Sequence, residues 1–311
     1  MSARHTRMAI RPLVRDVLAT EGLEPALTLA QGLPELVSVL RDGRVTVITG
    51  AGMSTASGIP DYRGPSGRAR NATPMHFDEF AASPLAQRRY WARAYAGWTR
   101  MGEAAPNRAH HAVAALERAG LVHGVITQNV DRLHAAAGSR ELLELHGSLD
   151  RVICLDCRTL HRRVRVQELL ARANPGFDPG QDIGDDAGEV RPDGDLSLRD
   201  RAVAEFSAVA CPDCGGRLKP DVVFFGENVA AALVEQCNAW VRASSTVLVL
   251  GSSLAVMSAY RFVRLAHREQ IRVVIVNQGP TRGDREAAVR VDADLGEALT
   301  AACHALGVPT K

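Results

Sequence analysis

The sequence predicts an α/β fold in which a doubly wound parallel sheet carries one small inserted module. The first observation is a set of four continuous apolar runs, each stopped by glycine or an amide side chain: residues 44–50, 121–131, 244–254 and 271–279. Strands buried on both faces of a parallel sheet have this continuous apolar character. The second observation is that helical segments, such as residues 107–120, separate the runs, as in a doubly wound sheet. The third is a pair of C-x-x-C motifs that bracket residues 151–219, which lack a strand pattern.

The overall composition bounds what the chain can do. Its 311 residues, 46% hydrophobic and 23% charged, are enough for one large domain with an insert or for two domains. A formal net charge of +2 gives no electrostatic reason to expect nucleic-acid binding. No apolar run approaches the ~20 residues of a membrane-spanning helix, so we expect no membrane partner.

Residues 1–24 predict an N-terminal extension in front of the sheet. Four arginines recur there at near-helical spacing: Arg4, Arg7, Arg11 and Arg15. A transit peptide would carry such a pattern, but Asp16 and Glu21 interrupt it and favour an ordinary amphipathic segment. We expect no secretory signal, and therefore a cytoplasmic protein if the source is bacterial or a mitochondrial matrix protein if it is eukaryotic.

The first helix and strand lead into a glycine-rich loop. Residues 25–41 predict the helix, residues 44–50 the strand, and the stretch GAGMSTASGIPDYRGPSG follows at residues 50–67. Its five glycines resemble a dinucleotide loop, but their spacing is not the G-x-G-x-x-G of a redox dehydrogenase. Backbone N–H groups near Ala51 and a helix starting within STASG could hold a phosphate. A tight strand-to-helix turn without a ligand is the alternative.

Polar residues also end the other three strands. These residues are Gln128, Asn129, Asp131, Gly251, Ser252, Ser253, Asn277 and Gln278. The carboxyl ends of parallel strands share one edge of a sheet, where doubly wound folds bind ligands, so we expect these residues to converge. His146 follows in LHGSLD, between the second strand end and the insert, and this position favours a catalytic role over a structural one.

The insert begins and ends with paired cysteines. Cys154 and Cys157 open it, Cys211 and Cys214 close it, and two such knuckles form the closed four-thiolate site of a structural zinc ion. A redox dithiol and unrelated cysteines are the alternatives. The segment between the pairs is acidic, which argues against nucleic-acid binding by this module. The isolated cysteines, Cys237 and Cys303, are expected to be small buried apolar residues.

In chain order, these motifs closely resemble the sirtuins. The matching stretches are GAGMSTASGIPDYRG, TQNVDRLH, LHGSL, the two C-x-x-C pairs, KPDVVFFGE, GSSL and VNQG. The resemblance implies NAD-dependent protein deacylation by a Rossmann-like NAD-binding domain, residues 25–150 and 220–311, with a zinc-binding module at residues 151–219. YWAR, CLDC, PDGD and GPTR are most similar to the class II branch, which includes a mitochondrial lipoamidase-type member and bacterial relatives.

The resemblance also assigns residues to the site. For NAD it implies Gly50, Ala51, Gly52, Thr55, Ser57, Gly58, Ile59, Pro60, Asp61, Tyr62, Arg63, Gln128, Asn129, Val130, Asp131, Gly251, Ser252, Ser253, Asn277, Gln278, Gly279 and Leu295. Residues 222–227 match the strand that pairs with the substrate backbone, so the implied substrate contacts are Val223, Phe224, Phe225, Gly226 and Glu227.

The implied reaction consumes NAD. The carbonyl oxygen of an acyl-lysine protein or peptide attacks C1′ of the nicotinamide ribose, and nicotinamide leaves. His146 then acts as general base on a ribose hydroxyl, with Asn129 as the second catalytic residue, and the products are lysine and O-acyl-ADP-ribose. A mono-ADP-ribosyltransferase using the same NAD site is the alternative. A non-enzymatic NAD sensor is a third hypothesis, against which His146 argues.

The acyl group is a separate question. Tyr90 and Arg93 resemble the Tyr-x-x-Arg pair with which acid-preferring sirtuins hold an acyl carboxylate, a task that suits a guanidinium. Their spacing to the flanking motifs differs from that subfamily's, and a helix surface with a solvated arginine is the alternative. The Gly/Asp-rich insert at residues 174–207 resembles an extra class II loop near the acyl channel, or is a linker.

Overall fold

The computed structural model describes residues 21–61, 75–178, 194–196 and 198–310. Within them lie ten strands: β1 Leu27–Thr28, β2 Val45–Thr49, β3 Val122–Thr127, β4 Leu142–Glu144, β5 Gly147–Cys154, β6 Leu160–Arg162, β7 Leu218–Val222, β8 Thr246–Leu250, β9 Arg272–Val276 and β10 Val289–Asp292. The same residues contain ten α-helices: α1 Leu29–Arg41, α2 Phe77–Ala82, α3 Pro84–Glu103, α4 Arg108–Arg118, α5 Leu133–Ala137, α6 Arg163–Ala173, α7 Asp200–Glu205, α8 Ala231–Ala243, α9 Met257–Arg268 and α10 Leu295–Ala305.

Seven strands form one parallel sheet in the order β1-β10-β9-β8-β2-β3-β4. Strand β2 lies inside the sheet, next to the central strand β8, and pairs along its whole length with β3 on one side and β8 on the other. From this pair the chain winds outward in opposite directions, so β2 and β8 mark the point where the strand order reverses. In open α/β sheets ligands bind outside the carboxyl ends of the strands at such a point. The predicted α/β class with a doubly wound parallel sheet is confirmed.

Apolar side chains cover both faces of this sheet. Every residue of β2 and β8 is buried. Helices α1, α4 and α10 pack on one face through a cluster that includes Leu40, Val113 and Leu299. Helices α8 and α9 pack on the other through Val241 and Phe262. Burial on both faces is the reason that the central strands are continuous apolar runs.

The four apolar runs contain the strands β2, β3, β8 and β9, as predicted. The sheet has three more strands, β1, β4 and β10, which the sequence pattern did not predict because each has only two to four residues. The helix predicted over residues 25–41 begins at Leu29, since Leu27–Thr28 pair with β10 as an edge strand.

A second, antiparallel sheet forms in the order β6-β5-β7 and carries α6. Its core also contains Phe80 and Trp91 from α2 and α3, which precede the predicted module in sequence. Trp91 Nε1 donates a hydrogen bond to the Leu218 carbonyl at 3.1 Å. Arg163 of α6 is buried, with its guanidinium 5.2 Å from the ring centroid of Trp91 and 4.8 Å from that of Trp98. The small sheet and α3 therefore share one core, and the boundaries 151–219 stay a prediction.

Some predicted segments fall outside the described residues. These are residues 1–20 of the N-terminal extension, residues 62–67 of the glycine-rich loop, and residues 179–193 and 197 of the insert. Within the described ranges, none of the helices combines the length and the apolar character needed to cross a bilayer.

Candidate functional site

A cavity of about 980 Å³ opens at the carboxyl ends of β2, β3, β8 and β9. The first residue after each of these strands lines it: Gly50, Gln128, Gly251 and Asn277. The opposite wall comes from residues 222–229, which follow the small sheet, and from the start of α9. The four polar strand ends thus converge as predicted, because parallel strands carry their carboxyl ends to one edge.

The loops after β2 and β8 touch backbone to backbone at the base of the cavity. Gly52 N donates to the Gly251 carbonyl at 2.9 Å, and Gly251 has a left-handed φ of 59°. A Cβ at Gly52 would lie 2.8 Å from the Gly251 oxygen, so this approach requires glycine. Gly50, Gly52 and Gly251, here called the glycine cradle, all line the cavity, and the absence of side chains there leaves room for a ligand to approach the backbone closely.

The glycine-rich loop differs in one respect from its prediction. STASG does not begin an α-helix. Residues Ala51–Met53 and Thr55–Ser57 form two 3₁₀ turns, and Gly58 ends the second with a φ of 82°. The short turns keep the loop against the β8 loop, which a continuous helix would leave.

Amide and carboxylate side chains join the β3 loop to this cradle. Gln128 Nε2 donates to Ser252 Oγ at 2.8 Å, and Asn129 Nδ2 donates to Ser54 Oγ at 3.0 Å. Ser54 Oγ in turn donates to Asp131 Oδ2 at 2.6 Å. Burial raises the pKa of Asp131, and the hydrogen bond from Ser54 opposes that rise. The network fixes the loops of three strands relative to one another.

His146 lies in the wall between the two sheets. Its Nδ1 is 2.9 Å from the Gln128 carbonyl oxygen, and its Nε2 is 2.8 Å from Ser258 Oγ on α9. A carbonyl can only accept, so Nδ1 carries the proton of the neutral ring and Nε2 presents a lone pair. Burial lowers the pKa of His146, and the hydrogen bond to Gln128 partly offsets this. A neutral imidazole whose Nε2 carries no proton can act as a general base.

The segment predicted to pair with the substrate backbone follows strand β7. Strand β7 ends at Val222, and within the described ranges Phe225 makes an isolated bridge to His76. Val223 N donates to the His146 carbonyl at 2.9 Å, so this loop is tied directly to the histidine. The buried Lys219 Nζ lies 2.9 Å from Glu227 Oε2 and also donates to the Val222 carbonyl. These contacts hold the loop against the cavity, and its pairing with a substrate backbone stays a prediction.

The four predicted zinc ligands come together in the small sheet. The Sγ atoms of Cys154, Cys157, Cys211 and Cys214 all lie within 4.8 Å of one another. Two of the Sγ–Sγ distances are 3.6 and 3.8 Å. A tetrahedral Zn²⁺ with Zn–S bonds of about 2.3 Å places its sulfurs about 3.8 Å apart, so the cluster fits this ion. The buried His161 places Nε2 3.3 Å from Cys211 Sγ, in the position of a supporting hydrogen bond.

Most predicted contact residues line the cavity, and some do not. Besides those already described, the lining includes Ala51, Thr55, Ile59, Asp61, Tyr90, Val130, Phe224, Gly226, Ser253, Gln278, Gly279 and Leu295. Among the described residues, Ser57, Gly58, Pro60 and Arg93 are not part of that lining, while Tyr62 and Arg63 lie outside the described residues. Ser57 Oγ instead accepts a hydrogen bond from Asn107 Nδ2 at 3.0 Å.

The lining also contains residues that were not predicted, among them the polar Ser54, Ser258 and Arg261. Ser54 lies within the quoted loop motif and could have been found there. Ser258 and Arg261 lie on α9, in a stretch whose sequence carries no motif, and only the packing of α9 brings them to the cavity.

Comparison with protein families and curated proteins gives consistent matches. The model of the Sir2 family matches residues 50–258. An "NAD-dependent protein deacetylase 1" of Streptomyces coelicolor is 52% identical over 287 residues, which covers 91% of this chain and 94% of that protein. A protein of the same description from Mycobacterium avium is 49% identical, covering 86% of this chain and 93% of its own length.

Solved structures show the same fold. A Sir2 protein described with a p53 peptide and NAD⁺ has a TM-score of 0.70 at 30% identity, covering 89% of this chain and 99% of its own. A Sir2 variant described with deacetylated p53 peptide and 3′-O-acetyl ADP ribose has a TM-score of 0.69 at 30% identity, with the same coverage.

Proposed function

The chain belongs to the Sir2 family, the sirtuins, and on that basis we propose how its own residues carry out NAD-dependent protein-lysine deacylation. One observation carries the proposal: the cavity joins the glycine cradle of β2 and β8 to a partly buried, neutral His146. The relatives are described as deacetylases, and a solved neighbour is described with an acetylated ADP-ribose. These comparisons favour deacylation over the alternative of mono-ADP-ribosyl transfer.

We assign NAD to the cavity edge formed by the large sheet. When bound, NAD supplies an electrophilic ribose carbon and nicotinamide as the leaving group. The cradle of Gly52 and Gly251 receives the phosphates, and the hydroxyls of Ser252 and Ser253 lie beside it. Leu295 lines the cavity beside the end of β10 and is the proposed contact for the adenine.

The β3 loop orients the reacting end of the dinucleotide. Gln128, Asn129 and Asp131 are held by Ser252 and Ser54, so their polar groups have fixed directions before a ligand arrives. Such preorganised polar groups favour one pose of the nicotinamide ribose. His146 then takes a proton at Nε2 from a ribose hydroxyl, which lets the sugar oxygen attack the acyl carbon. Asn129 remains the second proposed catalytic residue.

The peptide substrate is proposed to lie along residues 223–227. This loop is fixed to His146 by the bond from Val223 N and to the small sheet by the pair of Lys219 and Glu227. An acyl-lysine entering beside it meets Phe224 and Tyr90, whose ring centroids are 5.2 Å apart. An aromatic wall excludes water from the reacting carbon.

The four cysteines would hold a structural zinc ion. With four thiolates the ion has no open position for a reacting group, so its contribution is to fix the small sheet. None of the six cysteines, all of which lie in the described ranges, forms a disulfide, which is typical of a reducing compartment. A cytoplasmic location is therefore part of the proposal.

The preferred acyl group stays a prediction. Tyr90 lines the cavity and Arg93 does not, so the structure brings only one member of the predicted carboxylate-binding pair to the wall. Membership of class II and lipoamidase activity rest on the resemblance of motifs alone.

A peptide assay tests the function. The protein is incubated with NAD and lysine peptides carrying acetyl, lipoyl or succinyl groups, and peptides and nucleotides are measured by mass spectrometry. We expect loss of acyl mass together with nicotinamide and O-acyl-ADP-ribose. His146→Ala should reduce the rate at least ~100-fold, since general base catalysis contributes about that much.

The matched control is His304→Ala, which changes an exposed histidine in the last turn of α10 and should keep the parent rate. Transfer of ADP-ribose to protein without loss of the acyl group would contradict deacylation and favour the ADP-ribosyltransferase. No NAD-dependent product from any peptide would contradict both.

A further inference from the structure

Ser258 is the nearest side-chain partner of the proposed base, and the established sirtuin motifs of this sequence do not include it. It is the second residue of α9, and its Oγ lies 2.8 Å from His146 Nε2. The two residues are 112 positions apart in the chain. Both line the same cavity, so the contact lies at the reacting end of the site.

The direction of this hydrogen bond follows from the other ring nitrogen. Because the Gln128 carbonyl only accepts, Nδ1 keeps its proton and Nε2 of the neutral ring has none. Ser258 O–H must therefore donate to Nε2. The hydroxyl can also rotate and accept a hydrogen bond, so it can accept one from the Nε2–H of the protonated ring.

Charged side chains on several elements line the cavity together with His146: Asp61, Asp131, Asp195, Glu227, Arg261, Asp292 and Asp294. Asp131 lies on the loop after β3, where Ser54 donates to it. Glu227 lies on the loop after β7 and is paired with Lys219 at 2.9 Å. Arg261 lies one helical turn after Ser258 on α9. Asp131 and Glu227 each have a partner of their own, and the hydrogen bond that reaches Nε2 among the described residues comes from Ser258.

We propose that Ser258 is a positioning residue for the base, a role that rests on the proposed function: its hydroxyl holds the His146 ring with Nε2 facing the cavity and stabilises the imidazolium formed during catalysis. In that step a ribose hydroxyl loses its proton and Nε2 gains it. Because Nε2 has a single lone pair, the Ser258 hydrogen first rotates away from it, and after the transfer the new Nε2–H donates to Ser258 Oγ. The proton is thus held on the enzyme side while the sugar oxygen attacks.

The proposal predicts the sign of a pKa change. A hydrogen bond to an ionised group is stronger than one to the neutral group, so Ser258 stabilises the imidazolium more than the imidazole. Ser258→Ala should therefore lower the pKa of His146 by about 0.5–1 unit. Ser258→Thr keeps the hydroxyl and should keep the parent pKa.

The first test needs no NAD. Imidazole nitrogen NMR spectra of the ¹⁵N-histidine-labelled full chain are recorded against pH, and the His146 signals are assigned by their loss in His146→Gln. We expect the parent to show a neutral ring protonated at Nδ1. In Ser258→Ala the Nε2 shift should change and the titration should move to lower pH, whereas Ser258→Thr should match the parent.

The second test uses the deacylation assay over pH. Ser258→Ala should lower kcat/KM about fivefold near neutral pH, the equivalent of one hydrogen bond, and move the acidic limb of the profile to lower pH. Ser258→Thr should restore both. A purely structural role at the start of α9 would lower the rate equally at every pH.

Two results overturn the proposal: a folded Ser258→Ala protein with the parent's His146 pKa, or a folded Ser258→Thr protein that behaves like Ser258→Ala. Folding of each variant is checked by the dispersion of the same NMR spectra. A parent that deacylates no peptide contradicts the proposed function. An active parent with an unmoved Ser258→Ala profile contradicts only the role of Ser258.

Discussion

Two buried histidines next to the cavity show how the surroundings of a single residue set its charge. His134 Nε2 lies 3.1 Å from Thr49 Oγ1, and Thr49 Oγ1 donates to Thr127 Oγ1 at 2.8 Å. The ring of His110 packs against His134 with centroids 4.9 Å apart. Burial lowers the pKa of both, to about 4 for His110 and well below the usual value for His134. Both rings are therefore neutral when the protein is folded near pH 7.

These shifts predict a loss of stability in acid. A histidine in the unfolded chain is protonated with a pKa near ~6.5, whereas in the folded protein the pKa of His110 is about 4. Because the folded pKa is the lower one, stability is complete above pH ~6.5 and declines as the pH falls toward 4. His110 alone should cost about 3 kcal/mol of unfolding free energy over that range.

Urea unfolding of the parent and His110→Gln at several pH values measures this effect. The variant should have a shallower dependence of unfolding free energy on pH, whatever its stability at pH 7.5. His267→Gln, which replaces an exposed histidine on α9, should keep the parent slope. Equal slopes for parent and His110→Gln would contradict the assignment.

At the scale of elements, the close approach of the β2 and β8 loops builds the ligand cradle. The sequence pattern predicted both loops, since each follows an apolar run and contains glycine. It could not predict that Gly52 N bonds the Gly251 carbonyl, because this contact joins residues about 200 positions apart. The two loops meet because β2 lies beside β8 in the sheet.

We expect Gly52→Ala to weaken NAD binding. The added Cβ would meet the Gly251 oxygen at 2.8 Å and its Cα at 3.0 Å, so the two loops must separate. A shift of that kind should cost at least about tenfold in NAD affinity, measured by titration calorimetry. Gly102→Ala near the end of α3 is the matched control, since a Cβ there meets nothing within 4 Å. NAD binding by Gly52→Ala as tight as by the parent would refute the cradle.

At the scale of the whole molecule, the small sheet completes a site that the large sheet begins. Strand β7 leads directly into residues 223–227, which bond His146 and line the cavity. The thiolate cluster lies in the same small sheet, so a metal there supports the wall of the site without touching the reaction.

We therefore predict that zinc is required for stability and for a formed substrate loop. Freshly purified protein should contain about one equivalent of zinc by metal analysis. Cys211→Ser should lose most of it, with a lower melting temperature and reduced deacylation. Cys237→Ser, a buried cysteine outside the cluster, should keep the parent zinc content. Parent protein with less than about half an equivalent of zinc would contradict the prediction.

The sequence by itself determined the parallel sheet, the four strand ends at one edge, the four cysteines and the sirtuin family. Each of these is a local signal: a continuous apolar run, a short motif or a C-x-x-C pair. Such a signal is contained in a few neighbouring residues and does not depend on the rest of the chain. Parallel pairing then brings the strand ends together without further information, whereas Tyr90, Leu295 and residues 223–227 of the lining were predicted from the family resemblance.

Only the tertiary structure decided the partners across the cavity. Ser258 reaches His146 because α9 packs beside the β3 loop, and no motif marks it. Arg93 falls outside the cavity wall and Tyr90 within it, although they lie three residues apart on α3. Strand β7 stops at Val222, where other contacts replace strand pairing. Lys219 Nζ donates to the Val222 carbonyl and pairs with Glu227, and Val223 N donates to the His146 carbonyl. Such contacts join residues distant in sequence, so their geometry depends on packing and is not encoded in any local pattern.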